Sequence, residues 1–267
     1  CKVSWKGDLM YMNRIDKKFA ELKAEGKKAL IPYICSGDPS AEMTEKLVCT
    51  LEEAGADIIE LGIPFSDPLA DGPVIQAAGL RAFAGGYKVD DTFKIVENVR
   101  KKSEIPLVIM VYYSTIFGYG KEKFIENCIK ADVDGLIIPD LPYEEYDEIK
   151  PLIDETDIYM IPLVGLTSGD RIPMLVKEAK GFVYCVSSMG VTGERKEFDS
   201  RVESFVREVK RNTDTPACIG FGISTKEDIE RFDDYADGCI VGSAIVRKIF
   251  ESGCDQEKVR EFVKGLR

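Results

Sequence analysis

Histidine is absent from this chain of 267 residues. Its absence excludes the Ser–His and Cys–His arrangements of nucleophilic enzymes, histidine-ligated zinc sites, and acid–base catalysis by an imidazole. Any proton transfer must therefore use Asp, Glu, Tyr, Cys or Lys side chains. Buried carboxyl groups are the first candidates, because burial can raise a carboxyl pKa toward neutrality.

Basic residues are fewer than acidic residues in this chain. The chain has 36 Lys and Arg residues against 47 Asp and Glu residues, which gives a formal net charge of −11. A general nucleic-acid-binding function is excluded, because neutralising many phosphates requires clustered Lys and Arg. One small phosphate remains a suitable ligand, since backbone N–H groups can bind it without a charged side chain.

Long apolar runs and closely spaced cysteine pairs are also missing. No stretch approaches the roughly 20 apolar residues of a membrane span, and none has the pattern of a secretory signal. The eight cysteines form no CxxC motif. Four of them lie in or beside short apolar runs, which favours buried free thiols in a reducing cytoplasm over disulfides or a metal site; these are Cys35, Cys185, Cys218 and Cys239.

Eight short runs with β propensity alternate with amphipathic segments. The runs cover residues 29–34, 57–61, 107–112, 135–138, 158–163, 182–186, 217–220 and 239–241. Helical periodicity marks residues 42–54, 91–102, 121–130, 143–155, 171–179, 201–211 and 226–233. Strands alternating with helices imply right-handed crossovers and a parallel sheet. Eight such units predict an α/β protein with one (β/α)₈ TIM-barrel domain over residues 12–267. Residues 1–11 are expected to be an N-terminal extension or a cloning remnant.

Two connections between the predicted elements are long. Residues 62–73 follow the second strand and contain three prolines, whereas residues 187–199 follow the sixth strand and are polar and glycine-containing. In a barrel, both connections emerge at the C-terminal face, where active sites are built. These two loops are therefore the first places to look for functional residues.

Glu60 lies inside the apolar second run. Along a strand Ile58, Glu60 and Gly62 share one face, and if that face lines the barrel, Glu60 sits in its upper layer beneath a glycine. Desolvation there would raise its pKa and suit it to acid–base chemistry near neutral pH. The alternative is a buried ion pair with a Lys or Arg from a neighbouring strand.

Asp71 lies in the loop that follows this strand. An aspartate before a glycine is by itself usually a turn-forming residue, and Asp67, which precedes Pro68, has the same ordinary interpretation. The local sequence alone therefore leaves the role of both residues open.

Glycine-bearing turns follow the last three predicted strands, at residues 190–193, 220–224 and 242–246. Glycine lets the backbone approach an anion closely, so that successive N–H groups point at it. Ser243 begins a predicted helix, whose start offers unpaired N–H donors. Phosphate sites of barrels are commonly built from the loops after strands seven and eight, so these turns predict a phosphate site.

With these residues in view, the sequence resembles the tryptophan synthase alpha subunit family, from about residue 13 to the C-terminus. The most specific element is residues 60–76, ELGIPFSDPLADGPVIQ, which is similar to the family signature almost letter for letter. Further matching segments are residues 31–34, 37–39, 139–142, 190–193, 220–224 and 242–246.

The resemblance implies retro-aldol cleavage of indole-3-glycerol phosphate to indole and glyceraldehyde 3-phosphate, in tryptophan biosynthesis. It implies that Glu60 is the acid–base group and that Asp71 accepts the indole N–H and stabilises the developing positive charge. The phosphate would rest on backbone N–H groups of Gly193, Gly222, Gly242 and Ser243. The apolar wall of the pocket would consist of Tyr33, Tyr112, Ile137, Tyr184 and Phe221.

The resemblance also implies a partner, a pyridoxal-phosphate-dependent β subunit that receives indole within an α₂β₂ heterotetramer. Pro64 and Asp67 would face that partner, and the loop around Thr192 would close over Asp71 as a lid. No cofactor or metal is expected in this subunit. The chain departs from many family members at residues 114–115, where Ser-Thr replaces Asn-Pro, and at residues 187–190, where an arginine common in the lid region is replaced.

Other functions compatible with a phosphate-binding barrel stay open at this point. A sugar-phosphate isomerase or epimerase would share the glycine turns but would not need the 60–71 motif. A lyase that releases indole without a β subunit would share every catalytic residue. A non-catalytic regulatory paralogue would be expected to have lost Glu60, Asp71 or the glycine turns, and all of these are present.

Overall fold

The computed structural model describes residues 12–68, 71–187, 195–220 and 222–267, with the side chains of 195–199 excepted. The predicted N-terminal extension, residues 1–11, lies outside this part. Nine parallel strands form a single curled sheet in the order β5-β4-β3-β2-β1-β9-β8-β7-β6. Their bounds are β1 (Ala29–Cys35), β2 (Ile59–Gly62), β3 (Leu107–Met110), β4 (Gly135–Ile137), β5 (Tyr159–Met160), β6 (Leu163–Gly165), β7 (Val183–Val186), β8 (Ala217–Gly220) and β9 (Gly238–Val241). The predicted TIM-barrel fold is confirmed.

The count of nine instead of eight arises where the sheet closes. The predicted strand at 158–163 is divided into β5, which pairs with β4, and β6, which pairs with β7. Between them, the Ile161 N–H donates to Leu136 O at 2.8 Å, and Pro162 O accepts from the Tyr184 N–H at 2.9 Å. Pro162 has no N–H to donate to a ladder. The chain therefore pairs with β4 before this residue and with β7 after it.

Twelve α-helices surround the strands in the described part of the chain. They are α1 (Arg14–Glu25), α2 (Ala41–Glu53), α3 (Pro73–Ala84), α4 (Val89–Arg100), α5 (Tyr113–Tyr119), α6 (Lys121–Ala131), α7 (Lys150–Ile153), α8 (Ile172–Val176), α9 (Arg195–Asn212), α10 (Lys226–Glu230), α11 (Ser243–Glu251) and α12 (Gln256–Lys264). The helix predicted at 143–155 is instead a 3₁₀ helix, Tyr143–Glu148, followed by the single turn of α7. Pro151 in this segment lacks the N–H of a regular helix interior.

Alternation along the strands separates residues that face the barrel interior from residues that pack against the helices. Odd-numbered residues of β1 and even-numbered residues around β2, such as Ile31 and Ile58, face the barrel interior, whereas Leu30 and Ile59 pack against the surrounding helices. Helix α1 covers the lower end of the interior. Its N-cap residue Asn13 donates to the carbonyls of Asp134 and Asp157 at 3.0 and 2.7 Å, which ties the helix to the barrel floor.

Aspartates at the lower end of the barrel join adjacent strands. The carboxylates of Asp57, Asp134 and Asp237 accept the backbone N–H groups of Leu30, Leu107 and Ala217, at 2.8, 2.7 and 2.9 Å. Residues at this face of a barrel commonly serve stability, which leaves the opposite face for function. No helix in the described part of the chain combines the length and apolar character needed to cross a bilayer.

Candidate active site

Glu60 lies in the barrel interior, as its position on β2 predicts. It is paired in register with Tyr33 of β1 on one side and with Val108 of β3 on the other. Only 1% of its surface is exposed. Neither carboxyl oxygen has a hydrogen-bond partner among the described residues, so the alternative of a buried ion pair is wrong for this part of the chain.

Burial governs the protonation of Glu60. Desolvation and, to a lesser extent, the nearby charge of Asp71 raise its pKa from 4.5 to about 8. A charged carboxylate without partners is costly in an apolar interior, so the neutral acid is favoured. At neutral pH, Glu60 is therefore mainly a carboxylic acid that can donate a proton.

Asp71 sits at the end of the loop that follows β2, immediately before α3. Its N–H donates to Pro68 O at 3.1 Å, and its carbonyl accepts from Gln76 Nε2 at 2.9 Å. Burial raises the pKa of its carboxyl to about 6, while a hydrogen bond from the Tyr112 hydroxyl opposes the shift. Asp71 is thus mainly ionised at neutral pH, and the two carboxyl groups have different charge states.

Tyrosines surround the two acids. Tyr33 and Tyr184 are 8% and 5% exposed, and the pKa of each hydroxyl is raised, mainly by burial and also by Glu60 and Asp71. These electrostatic effects indicate that side chains from β1, β2, β7 and the β2–α3 loop lie close together in one cluster. Ile137 is fully buried in the same interior cluster as Tyr184. Two of the residues predicted to form the pocket wall therefore lie in one cluster.

Two glycines make room for the tyrosine rings. A Cβ atom on Gly62 would lie 2.0 Å from the Tyr33 hydroxyl oxygen, and one on Gly220 would lie 2.4 Å from Cε1 of Tyr184. Both distances are far shorter than van der Waals contact. The glycines that end β2 and β8 are therefore required by the shape of the pocket, a role distinct from anion binding.

The predicted phosphate site has two described components. Gly242 is the N-cap of α11, and Ser243 is its first residue and exposed. The first N–H groups of a helix have no intrahelical acceptor, so this helix start can bind an anion. Gly222, after β8, has φ of +75°, a left-handed conformation that favours glycine. Thr192, Gly193 and Phe221 lie outside the described residues, as does the centre of the predicted lid.

The residues predicted to face a partner differ in exposure. Asp67 is exposed, whereas Pro64 is buried, with its Cβ 3.7 Å from the position of a Cβ on Gly79 of α3. Pro64 therefore anchors the loop on the barrel, and Asp67 is at its surface. Between them, the ring of Phe65 stacks on Tyr112, with 4.8 Å between ring centroids.

The role of Tyr112 is the main feature that the sequence prediction missed. We predicted an apolar wall residue, yet Tyr112 also lowers the pKa of the Asp71 carboxyl, which indicates that its hydroxyl lies near that group. Its position directly after β3, at the C-terminal face, was the available signal. Nothing in the local sequence indicates that residues 71 and 112 meet.

Other features of the described residues lie away from this cluster. A cleft of about 800 Å³ on the side of the barrel, beside β5, contains none of the predicted site residues. No group of three or more Cys, Asp or Glu side chains in the described ranges is arranged to bind a metal ion.

The family model described as tryptophan synthase alpha chain matches residues 19–265. The tryptophan synthase alpha chain of a Thermoanaerobacter species is 52% identical over 259 residues, which is 96% of this chain and 99% of that relative. The structure is similar to tryptophan synthase subunit alpha from Legionella pneumophila, with a TM-score of 0.87, 36% identity, and coverage of 96% of this chain and 97% of that chain.

A chain of the tryptophan synthase α₂β₂ complex from Pyrococcus furiosus is also similar. Its TM-score is 0.83 and its identity 36%, and the match covers 89% of this chain and 97% of that chain. Sequence and fold thus agree over nearly the whole length, and Glu60 and Asp71 of the 60–76 motif lie toward the C-terminal face of the barrel. This chain belongs to the tryptophan synthase alpha chain family.

Proposed function

We propose that this chain cleaves indole-3-glycerol phosphate with Glu60 as the acid–base group and Asp71 as the electrostatic stabiliser. Membership of the family makes the chain an enzyme, a carbon–carbon lyase of tryptophan biosynthesis. The observation that carries the assignment of roles is the unpartnered, buried carboxyl of Glu60, with a pKa raised to about 8, beside Asp71, with a pKa of about 6.

Glu60 carries out both proton transfers. In its acid form it gives a proton to C3 of the indole ring, and the ring becomes positively charged. The resulting carboxylate then takes the proton of the hydroxyl on the carbon bonded to C3. The oxygen electron pair forms the aldehyde carbonyl, the carbon–carbon bond breaks, and its electron pair restores the indole ring. Glu60 ends in the acid form in which it began, as a raised pKa favours.

Asp71 stabilises the charge that develops during the first of these steps. As an ionised carboxylate, it accepts the indole N–H, where positive charge appears when C3 is protonated. An electrostatic partner at that position acts on the transition state more than on the ground state. The hydrogen bond from Tyr112 supports this role, because it favours the ionised form of Asp71.

The phosphate group accepts hydrogen bonds from the backbone N–H groups of Gly193, Gly222, Gly242 and Ser243. Thr192 belongs to the lid. The helix start at α11 supports this placement. The rings of Tyr33 and Tyr184, with Ile137, Tyr112 and Phe221, enclose the indole. The reaction uses only side chains of this chain and substrate atoms, so no cofactor takes part in it.

A pyridoxal-phosphate-dependent β subunit is the proposed partner, in an α₂β₂ tetramer. The similar chain from Pyrococcus furiosus belongs to an α₂β₂ complex described by mutual activation. The exposed Asp67, on the loop that carries Asp71, is the proposed contact residue, and Pro64 holds that loop in place. We also propose a cytoplasmic location, supported by the free state of every cysteine in the described ranges.

The experiment uses purified chain, indole-3-glycerol phosphate, and detection of indole. Release should be slow with the chain alone and faster with a β subunit. Glu60→Gln should abolish release while substrate still binds, whereas Glu122→Gln, at an exposed carboxyl on α6, should not change the rate. Near-normal turnover of Glu60→Gln would contradict the acid–base role. A rate unaffected by the β subunit would favour the stand-alone lyase.

A further inference from the structure

Tyr33 lies on the strand that separates the proposed phosphate site from the proposed acid. In the sheet, β1 is flanked by β2, which carries Glu60, and by β9, which ends directly before Gly242. Neighbouring strands lie about 4.8 Å apart, so β2 and β9 are about 10 Å apart. A ligand that contacts Gly242 at one end and Glu60 at the other therefore crosses the interior face of β1.

The side chain of Tyr33 extends across the same face. A Cβ atom on Gly242 would lie 3.6 Å from Cβ and 3.7 Å from Cδ1 of Tyr33, whereas one on Gly62 would lie 2.0 Å from its hydroxyl oxygen. Gly62 ends β2 and shares a strand face with Glu60. The tyrosine side chain thus reaches from the phosphate side of the pocket to the acid side, with its hydroxyl at the end of β2.

Packing fixes the orientation of this ring. Tyr33 and Cys35 of β1 form one buried cluster with Ala78 of α3 and Val246 of α11. Ala78 is fully buried and Val246 is nearly so. An aromatic ring among close-packed neighbours keeps one orientation on average, so the hydroxyl of Tyr33 has a defined position in the pocket.

The hydroxyl of Tyr33 is a hydrogen-bond donor without an acceptor among the described residues. In particular, it is not bonded to Glu60, its register neighbour, because the carboxyl oxygens of Glu60 have no partner within the described ranges. Burial is the main cause that raises the pKa of Tyr33 above its ordinary value of 10, so the hydroxyl keeps its proton near pH 7. A largely buried hydroxyl without a partner costs free energy, and a ligand that supplies an acceptor removes that cost.

We propose that the Tyr33 hydroxyl binds the hydroxyl on the middle carbon of the glycerol chain and thereby selects ligands that carry it. This inference rests on the function proposed above. The first carbon of the chain is bonded to indole C3 and carries the hydroxyl that Glu60 deprotonates, and the third carbon carries the phosphate. The middle hydroxyl takes no part in the chemical steps, and it lies on the part of the ligand that crosses the interior face of β1.

The test measures the binding of two ligands that differ only in the middle hydroxyl. One is indolylpropyl phosphate, and the other is its derivative with a single hydroxyl on the middle carbon of the chain. Neither can be cleaved, because both lack the hydroxyl on the carbon bonded to C3. Isothermal titration should show that the full chain binds the hydroxylated ligand roughly tenfold more tightly. Tyr33→Phe should lose this preference while its affinity for indolylpropyl phosphate stays within about twofold of wild type.

Tyr113→Phe is the matched control, because it removes a hydroxyl that donates to Glu148 at the surface, and it should keep the preference. A preference that survives in Tyr33→Phe would overturn the inference, as would equal weakening of both ligands, which would indicate altered packing of the ring. If wild type cleaves indole-3-glycerol phosphate but binds the two ligands equally, only this inference fails. If wild type binds neither ligand and releases no indole, the proposed function fails with it.

Discussion

The hydroxyl of Tyr33 occupies the space in which a side chain on Gly62 would begin, since a Cβ atom there would lie 2.0 Å from the Tyr33 oxygen. Gly62 ends β2, two residues beyond Glu60, which is paired in register with Tyr33 of β1. The shape of the pocket around Glu60 therefore depends on the absence of a side chain at residue 62.

Gly62→Ala should reduce both stability and activity, because the rigid ring of Tyr33 must swing away from its packed position. We expect a destabilisation of about 1 to 3 kcal/mol, typical of overpacking, measured by urea unfolding, with a clear loss of kcat. Gly118→Ala is the matched control, since a Cβ there meets no atom within 4 Å. In a Tyr33→Leu background, Gly62→Ala should cost much less; an undiminished cost would show that Tyr33 is not the obstacle.

The pH dependence of kcat/KM for indole-3-glycerol phosphate should be bell-shaped. Activity rises as Asp71 ionises, with a pKa of about 6, and falls as Glu60 loses its proton, with a pKa of about 8. Because each charge influences the other group, the two midpoints belong to the pair. Initial rates from pH 5 to 9.5 test this, and activity still increasing above pH 9 would contradict an acid role for Glu60.

Glu60→Gln should stabilise the protein at alkaline pH while abolishing catalysis. The folded-state pKa of Glu60 is raised from 4.5 to about 8, so the wild-type chain loses stability as pH rises through this window. The neutral amide avoids that loss. We expect a higher Tm than wild type at pH 8.5 and only a small difference at pH 5, measured by calorimetry. Equal Tm values at pH 8.5 would mean that other groups offset the cost of burying the Glu60 carboxylate.

Gly222→Asp should weaken binding of glyceraldehyde 3-phosphate far more than Gly222→Asn. Both side chains have nearly the same shape, and both tolerate the left-handed conformation at φ +75° better than most residues. Only the aspartate places a negative charge at the proposed phosphate site. Isothermal titration should show at least roughly tenfold weaker binding of the Asp variant relative to Asn. Similar affinities would remove Gly222 from the site.

Local sequence patterns predicted the barrel fold and most of its strands and helices. Period-two alternation placed Glu60 on the interior face of β2, and strand–helix alternation predicted the barrel, because both depend on residues close together in the chain. The break of the fifth strand at Pro162 was not predicted, although proline cannot donate to a ladder. The helix predicted at 143–155 is instead a 3₁₀ helix followed by one α-turn, in a segment where Pro151 lacks a backbone N–H.

The sequence by itself determined the candidates for the chemistry: Glu60 and Asp71 in one motif, no histidine to take their place, and glycine turns after the last strands. Only the tertiary structure decided the protonation of the two acids and the space around them. Burial without a described partner favours the neutral acid form of Glu60, burial raises the pKa of Asp71, and the ring of Tyr184 leaves no room for a side chain at Gly220. These contacts join residues far apart in the chain, so barrel closure, and not any local pattern, brings them together.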